Sequence, residues 1–402
     1  MSATSIAPLH GNCVMQVKEP VKDMEVAMPI KIAHVVRQYF PSIGGMEDVV
    51  QNIAQYHLSH GGFVPKIITL NRLFRNSDAT LANEEIVDGI PIVRLPYYGS
   101  NRYPLCPQVL QELRGADVIH VHGIDFFFDY LAATKHMHRK PLVASTHGGF
   151  FHTRFLAGLK KMYFKTVTRA SSHVYDRIVA TSNNDGNIFS EIVEEDKLVV
   201  IENGVNVTKF CNMAAAAPIR TLIYFGRWSQ NKGLSEALAL FASLVARQAG
   251  WKFLIAGREY DYQAKDLLEM AAKLGIEGDV QVIPNPSEQQ LAALIGQASY
   301  FLCLSKHEGF GIAPIEAMSA GLMPILSDIP PFRNLLEQSG MGLLLDPATT
   351  GDIVAALLQL HALNEMDFTS NRKRLMCFAT RYDWRSIADQ YGSIYENVMG
   401  KQ

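Results

Sequence analysis

The chain has 402 residues, is 48% hydrophobic and 19% charged, and carries a formal net charge of -2. That balance describes a compact globular protein without the basicity that continuous contact with nucleic acid favours, so nucleic acid is not an expected partner. The length exceeds one ordinary α/β layer and suits two domains meeting at a cleft.

Residues 1–29 lack a basic start followed by a continuous apolar run, which speaks against a signal peptide or anchor and for a loose extension. Cys13, Cys106, Cys211, Cys303 and Cys377 are widely spaced and form no CxxC, so they read as free thiols in a reducing, cytoplasmic compartment. No segment offers the roughly 18 consecutive apolar residues of a spanning helix, which leaves peripheral membrane contact open.

The stretch "IKIAHVVRQYFPSIGGMEDVVQNIAQYHL" predicts a buried strand, a turn through "PSIGG" and an amphipathic helix, the opening unit of a nucleotide-binding type of fold. "VPKIITL" and "IPIVRLP" predict further strands. "ADVIHVHG" and "PLVASTHGG" predict central strands ending in His and Gly, and in open α/β sheets the ligand crevice lies outside such ends.

The plan restarts after "NMAAAAPI": "RTLIYFGRWSQNKGLSEALALF" repeats strand, Gly-bearing loop and helix, and "WKFLIAG", "DVQVIP" and "YFLCLS" add strands. The expected architecture is α/β, with two Rossmann-like domains over 30–205 and 206–380 and a boundary near Val205 to Pro218. Residues 381–402 predict an amphipathic helix with Trp384, Ile387, Tyr391 and Ile394 on or near one face.

Glu308 and Glu316 stand in the segment "KHEGFGIAPIEAMSAG". On one continuous helix they would project about 80° apart, but Pro314 resists a helix interior and is tolerated in a first turn. The spacing therefore predicts a loop carrying Glu308 and a helix starting near Pro314 with Glu316 in its first turn. Free amides there and around Gly309 and Gly311 attract an anion, while the carboxylates suit hydroxyl groups. The alternative is a helix-dipole carboxylate beside a solvated loop glutamate.

Arg227 and Lys232 in "GRWSQNKG", read as a loop between a strand and a helix, supply cations for phosphate oxygens, or are plain surface. Gly44 and Gly45 permit either a structural turn or the close approach of a phosphate or sugar; the segment is not a GxGxxG fingerprint. His120 and His122 point to one side of a strand, which suits a metal ion or satisfied structural histidines, and no carboxylate completes a recognisable metal site. His147, before a Gly pair, is the better functional candidate. There is no DxD, so nothing in the sequence supports a divalent ion on a diphosphate. From Arg139 to Arg177 eight Lys or Arg face one acid, Asp176, and the predicted helix over 154–169 suits either an anionic membrane surface or a solvated basic face.

These segments together resemble retaining glycosyltransferases of the GT-B fold, family 4, over nearly everything from Ile30 onward. Glu308 to Glu316 matches the family's E-x7-E motif, "GRWSQNKG" its basic pair, "PSIGG" its glycine loop, "STHGG" its histidine segment and "SDIPPFRNLL" the segment after the motif helix. The opening is most similar to the α-mannosyltransferases of xanthan and acetan exopolysaccharide assembly. The resemblance implies a nucleotide-sugar donor, GDP-mannose, a polyprenyl-diphosphate-linked cellobiose acceptor, and no metal or other cofactor. It implies Glu316 on ribose hydroxyls, Glu308 and the amides of Gly309, Phe310, Gly311 and Ile312 on the transferred sugar, Arg227 and Lys232 on the diphosphate, and His147 at a sugar hydroxyl or the reacting centre. Gly44 and Gly45 would face phosphate or sugar across the cleft. Near "VQVIPNPSEQQL" family members carry an aromatic and a glycine where this chain has Ile283 and Asn285, so base contacts there are open. The last helix is implied to pack back on the first domain, and the enzyme to sit on the cytoplasmic face of the inner membrane. Another hexose donor, a soluble acceptor, or a non-catalytic nucleotide-sugar-binding role are the alternatives.

Overall fold

A computed structural model describes residues 28–42, 44–74, 76–101, 103–148, 162–308, 310–345, 350–362 and 365–400. Two twisted sheets organise the chain, each the core of one α/β domain. The first has the strand order Leu198–Val200, Arg177–Ala180, Leu142–Ser145, Val118–His122, Ile30–Val36, Phe63–Leu70, Ile90–Leu95, Glu84–Val87. All its pairings are parallel except that of the last two strands. The second runs Val280–Pro284, Lys252–Glu259, Thr221–Trp228, Tyr300–Cys303, Met323–Ser327, Leu343–Leu345 and is wholly parallel.

Central strands of both sheets are continuous apolar runs because helices cover both faces. Leu222, Ile223, Phe253, Ile255, Phe301 and Leu302 are all buried in one core that extends from Val205 to Tyr382. In both sheets strand order reverses beside the first strand of the unit, at Ile30–Val36 and at Thr221–Trp228, and a crevice opens at such points outside the strand C-termini.

Gly45–His60 forms the first helix, with Glu47 and Asp48 in its first turn, where the helix dipole favours acids, and Val49, Val50, Ile53, Ala54 and His57 buried. The last helix, Trp384–Met399, packs against it. Its buried face of Ile387, Ala388, Tyr391, Ile394, Tyr395 and Val398 covers the first sheet, joining Ile32, Val118, Val143 and Val179 in one cluster. The chain thus crosses from the first sheet to the second near Val205 and returns near Asp383. The two crossings touch: Val205 N donates to Tyr382 O at 2.7 Å, and Val205 pairs with Asp383 in an isolated parallel bridge.

Candidate active site

Glu308 hangs in the loop after the strand Tyr300–Cys303, and Glu316 lies on the helix Ile312–Ala320. This helix begins two residues before Pro314, so Glu316 is its fifth residue and lies beyond the first turn in which the sequence placed it. The reason is Gly311, whose φ of 101° ends the loop in the left-handed region and lets Ile312 start the helix. Pro314 falls at the third position, where its missing N–H leaves no intrahelical bond unmade. Among the described residues no side chain caps this N-terminus, so the amides of Ile312 and Ala313 are available to a ligand.

Around it lies a cavity of about 400 Å3 lined by Arg227, Lys232, Arg258, Glu308, Phe310, Gly311, Ile312, Pro314 and Glu316, with Tyr224 and Cys303 behind them. Seven of the residues expected in the site therefore share one cavity, all from the second domain: Arg227, Lys232, Glu308, Phe310, Gly311, Ile312 and Glu316. Gly309 lies outside the described residues. Ile283 does not line the cavity; half-buried, it packs on the core in the strand beside Lys252–Glu259, paired with Ala256.

Lys232 Nζ sits 2.5 Å from Glu308 Oε1, and both side chains are mostly shielded, at 20% and 14% exposure. Ser305 Oγ donates to the same oxygen at 2.6 Å. The loop is fastened from below as well: Asn231 Nδ2 donates to His307 O at 2.7 Å, and Lys306 N to Asn231 O at 2.8 Å. Burial raises the Glu316 carboxyl above its ordinary pKa, with Lys209 opposing and Glu288 adding to the rise.

Arg227 is not in a loop, as the sequence suggested, but near the end of the strand Thr221–Trp228, and Lys232 closes a short 3-10 turn after it. The exposed Arg227 guanidinium lies 4.8 Å from the Tyr260 ring centre. Directly beside Arg227 in register is Arg258, which sequence reasoning missed. The signal was there: "FGR" and "AGR" recur at the C-terminal ends of neighbouring strands, with Gly226 opposite Gly257. A Cβ on Gly257 would lie 1.8 Å from Gly226 O, so the glycine allows the two strands to bring both arginines to one rim.

On the first sheet, Gly44 and Gly45 divide their reasons. A Cβ at Gly44 would collide with the Glu47 carboxylate at 2.5 Å, which Ser42 Oγ also bonds at 2.8 Å, whereas a Cβ at Gly45 meets nothing within 4 Å. Arg37, just past the first strand, pairs with buried Asp125 at 2.8 Å. Burial lifts Asp125 to a pKa of about 6 against the pull of Arg37. Neither residue was singled out from the sequence, because only the folded sheet brings the loops after two strands together.

His147 follows the strand Leu142–Ser145 with φ 50°. Part of its surface stays open, yet packing lowers its pKa to about 4. His147 Nε2 lies 3.0 Å from His122 Nδ1, and His122 Nε2 lies 3.0 Å from His34 Nδ1. His120 belongs to another set, with Tyr395 Oη at 2.7 Å and Ser145 Oγ at 2.8 Å. His34, His120 and His122 are close enough to hold a metal ion by distance, their ligand atoms lying within 4.8 Å of one another. The chemistry fits poorly: His122 and His120 have both ring nitrogens engaged, and no carboxylate in the group offsets a buried divalent charge. Neither His147 nor Gly44 and Gly45 line this cavity around Glu308 and Glu316.

A second cavity, of about 380 Å3, lies between the domains, lined by Ser182, Asn183 and Glu202 from one side and Phe310, Pro330, Asn334 and Tyr382 from the other. Phe310 lines both cavities. Cations beside a free helix N-terminus, with shielded carboxylates at either end and a cleft alongside, suit an extended ligand with a diphosphate in its middle and hydroxyls at its ends.

Residues 214–374 match the family model of glycosyl transferases group 1, and residues 43–209 that of glycosyltransferase family 4. The chain is 49% identical over 375 residues to a GDP-mannose:cellobiosyl-diphosphopolyprenol alpha-mannosyltransferase of Xanthomonas campestris, covering 92% of this chain and 98% of that one. The chain belongs to glycosyltransferase family 4. A second relative of this glycosyltransferase, of the same name from Komagataeibacter xylinus, is 42% identical over 92% of the chain and 94% of its own length. Among solved structures, a glycosyltransferase from Rickettsia africae ESF-5 superposes with a TM-score of 0.70 at 16% identity, over 93% of this chain and all of that one. The fold of this family 4 glycosyltransferase is GT-B.

Proposed function

We infer that the protein transfers mannose from GDP-mannose to a cellobiosyl unit carried on a diphosphopolyprenol, forming an α-linkage with retention of configuration. One observation carries this reading: identity of 49% extends over 98% of the Xanthomonas campestris relative, so the likeness includes both domains rather than a shared donor domain alone.

In this reading the GDP-mannose diphosphate lies between Arg227, Lys232 and the amides of Ile312 and Ala313. Glu316 accepts from the ribose hydroxyls, and Glu308 with the loop from Gly309 to Ile312 addresses the mannose. Gly45 and His147 approach from the opposite domain. As the bond from the anomeric carbon to phosphate breaks, negative charge grows on the departing diphosphate, where the cations bind it more strongly than in the ground state. The acceptor hydroxyl attacks from the same face and passes its proton to a leaving phosphate oxygen. Neither glutamate is required as a base.

A polyprenol-linked acceptor places the reaction at a membrane surface. None of the described helices is long and apolar enough to cross a membrane. The basic segment supports peripheral attachment: Met162 and Val167 are exposed at 59% and 41%, beside the exposed Lys165 and Arg169. Phe164 turns inward, and Arg154, Lys160 and Lys161 lie outside the described residues. Replacing Lys160, Lys161 and Lys165 by Glu removes about 1 kcal/mol of attraction per charge and should release the protein from anionic vesicles; undiminished binding contradicts the attachment.

Purified protein is tested with several radiolabelled nucleotide hexoses against lipid-linked cellobiose and soluble sugar phosphates. Label moving from GDP-mannose to the lipid-linked acceptor is the expected result. Transfer solely to a soluble sugar phosphate overturns the assignment.

A further inference from the structure

Three imidazoles, His34, His122 and His147, form an unbroken hydrogen-bonded chain from the interior of the first domain to just past the C-terminal end of the strand Leu142–Ser145. Their strands are neighbours: His34 stands beside His120, and His122 beside Ser145, so side chains on one sheet face make a diagonal stripe. The last helix seals this stripe. Tyr395 Oη and Tyr391 Oη bond His120 and Ser145, and His34 and His122 have no solvent exposure.

Burial drives all three rings toward the neutral form, with His34 at about 3, His147 at about 4 and His122 well below its ordinary value. A neutral imidazole has one N–H and one lone pair, so a chain of three has two self-consistent arrangements. In the inward one His147 donates to His122 and His122 to His34, which forces the His34 proton onto Nε2. That atom is buried and has no hydrogen-bond partner among the described residues. A buried N–H without an acceptor is a rare and costly state, more so than an unused lone pair. The outward arrangement avoids it: His34 Nδ1 donates to His122 Nε2, His122 Nδ1 donates to His147 Nε2, and the His147 proton sits on Nδ1.

We propose that His34 and His122 are positioning residues that fix His147 as the Nδ1–H tautomer, so that His147 meets its ligand as a hydrogen-bond donor and cannot accept a proton there. This rests on the reading that His147 faces the reacting sugar, and it deepens that reading. The partner is an oxygen with a lone pair to offer, a sugar hydroxyl or a phosphoryl oxygen. The positive φ of His147 and its bond to His122 hold the ring from both ends.

The full chain, labelled with 15N in histidine and free of substrates, is examined by long-range proton–nitrogen correlation at pH 7.5, with the His147 ring identified by its loss in His147→Gln. The expected spectrum has the proton on Nδ1; a proton on Nε2 overturns the proposal. In His34→Leu the Nδ1–H form should persist, because the inward arrangement would leave the His122 Nε2–H without an acceptor. In His34→Asn, whose amide oxygen can turn to accept from His122 Nε2, the inward arrangement opens and the Nδ1–H population should fall about twofold. An Nε2–H form of His147 in folded His34→Leu, or an unchanged tautomer in folded His34→Asn, also overturns the proposal, and if neither variant folds, the wild-type spectrum decides. Because no substrate is present, an error in the assigned donor or acceptor leaves this result intact.

Discussion

Lys232 Nζ and Glu308 Oε1 lie 2.5 Å apart, and the same carboxylate oxygen takes the Ser305 hydroxyl at 2.6 Å. The pair joins the turn after one strand to the loop after its neighbour, so the cation proposed for the diphosphate and the carboxylate proposed for the sugar are set against each other by the protein. Replacing Lys232 by Ala removes the cation and loosens Glu308 together. With saturating donor, kcat should fall about 100-fold, the scale of losing one preorganised charge-stabilising group. Unchanged turnover would take Lys232 out of this role.

Gly257 is a structural counterpart to that chemistry. Alanine there has φ 155° to adopt and a Cβ 1.8 Å from Gly226 O. The neighbour is backbone, so relief requires the strands carrying Arg227 and Arg258 to part. Gly257→Ala should cost at least about 2 kcal/mol, seen as a lower urea midpoint, and should weaken donor binding. A variant with wild-type midpoint and donor affinity contradicts the close approach.

Acid should unfold the first domain early. The folded pKa values of His34, His120 and His122 lie below the ordinary 6.5, so the unfolded chain takes up protons first as pH falls. Their contribution is complete above pH 6.5 and is lost below it, at up to about 1.4 kcal/mol per pH unit for each ring. Asp125 works the other way: with its folded pKa at about 6, above the ordinary 3.8, it favours the folded state as pH drops between those values. One carboxyl offsets one of three rings, so stability should decline from pH 7 to pH 5. Urea midpoints at pH 7.5, 6 and 5 measure this, and a flat or rising series toward acid refutes it.

At Gly204 an alanine Cβ would fall 2.3 Å from Trp384 Cε3. Trp228 and Trp251 are fully buried, so a displaced Trp384 should dominate any change in tryptophan emission. Gly204→Ala should shift that emission to longer wavelength and lower thermal stability. Identical spectra and melting would show that the ring moves aside freely.

The strands that sequence revealed are those whose pattern reports burial on both faces. "IKIAHVV" and "TLIYFG" needed no partner to be read, whereas the edge strand "EEIV" and the short pair "YGS" and "YPL" carry no such pattern. In the site, Glu308 and Glu316 were legible because Gly and Pro bracket them within one segment. Arg37 and Asp125 were not, since they gain each other from strand order, which spacing along the chain does not encode; Arg258 left only the recurrence of "FGR" in "AGR", which marks two strand ends without showing that the strands are neighbours. The HxH of His120 and His122 correctly implied one side of a strand, but their separate hydrogen-bonded sets depend on His34, Tyr395 and His147 from distant segments.

The paired crossings at Val205 and Asp383 constrain any movement of one domain on the other. Both connections pass through one place and are bonded there, Val205 N to Tyr382 O at 2.7 Å, with Tyr382 also in ring contact with Phe310 at 5.6 Å. Two segments bonded at one point resist sliding there and leave rotation about it as the easier relative motion. The aromatic ring that lines both cavities sits against this tie, so any such rotation would act beside the loop that carries Glu308.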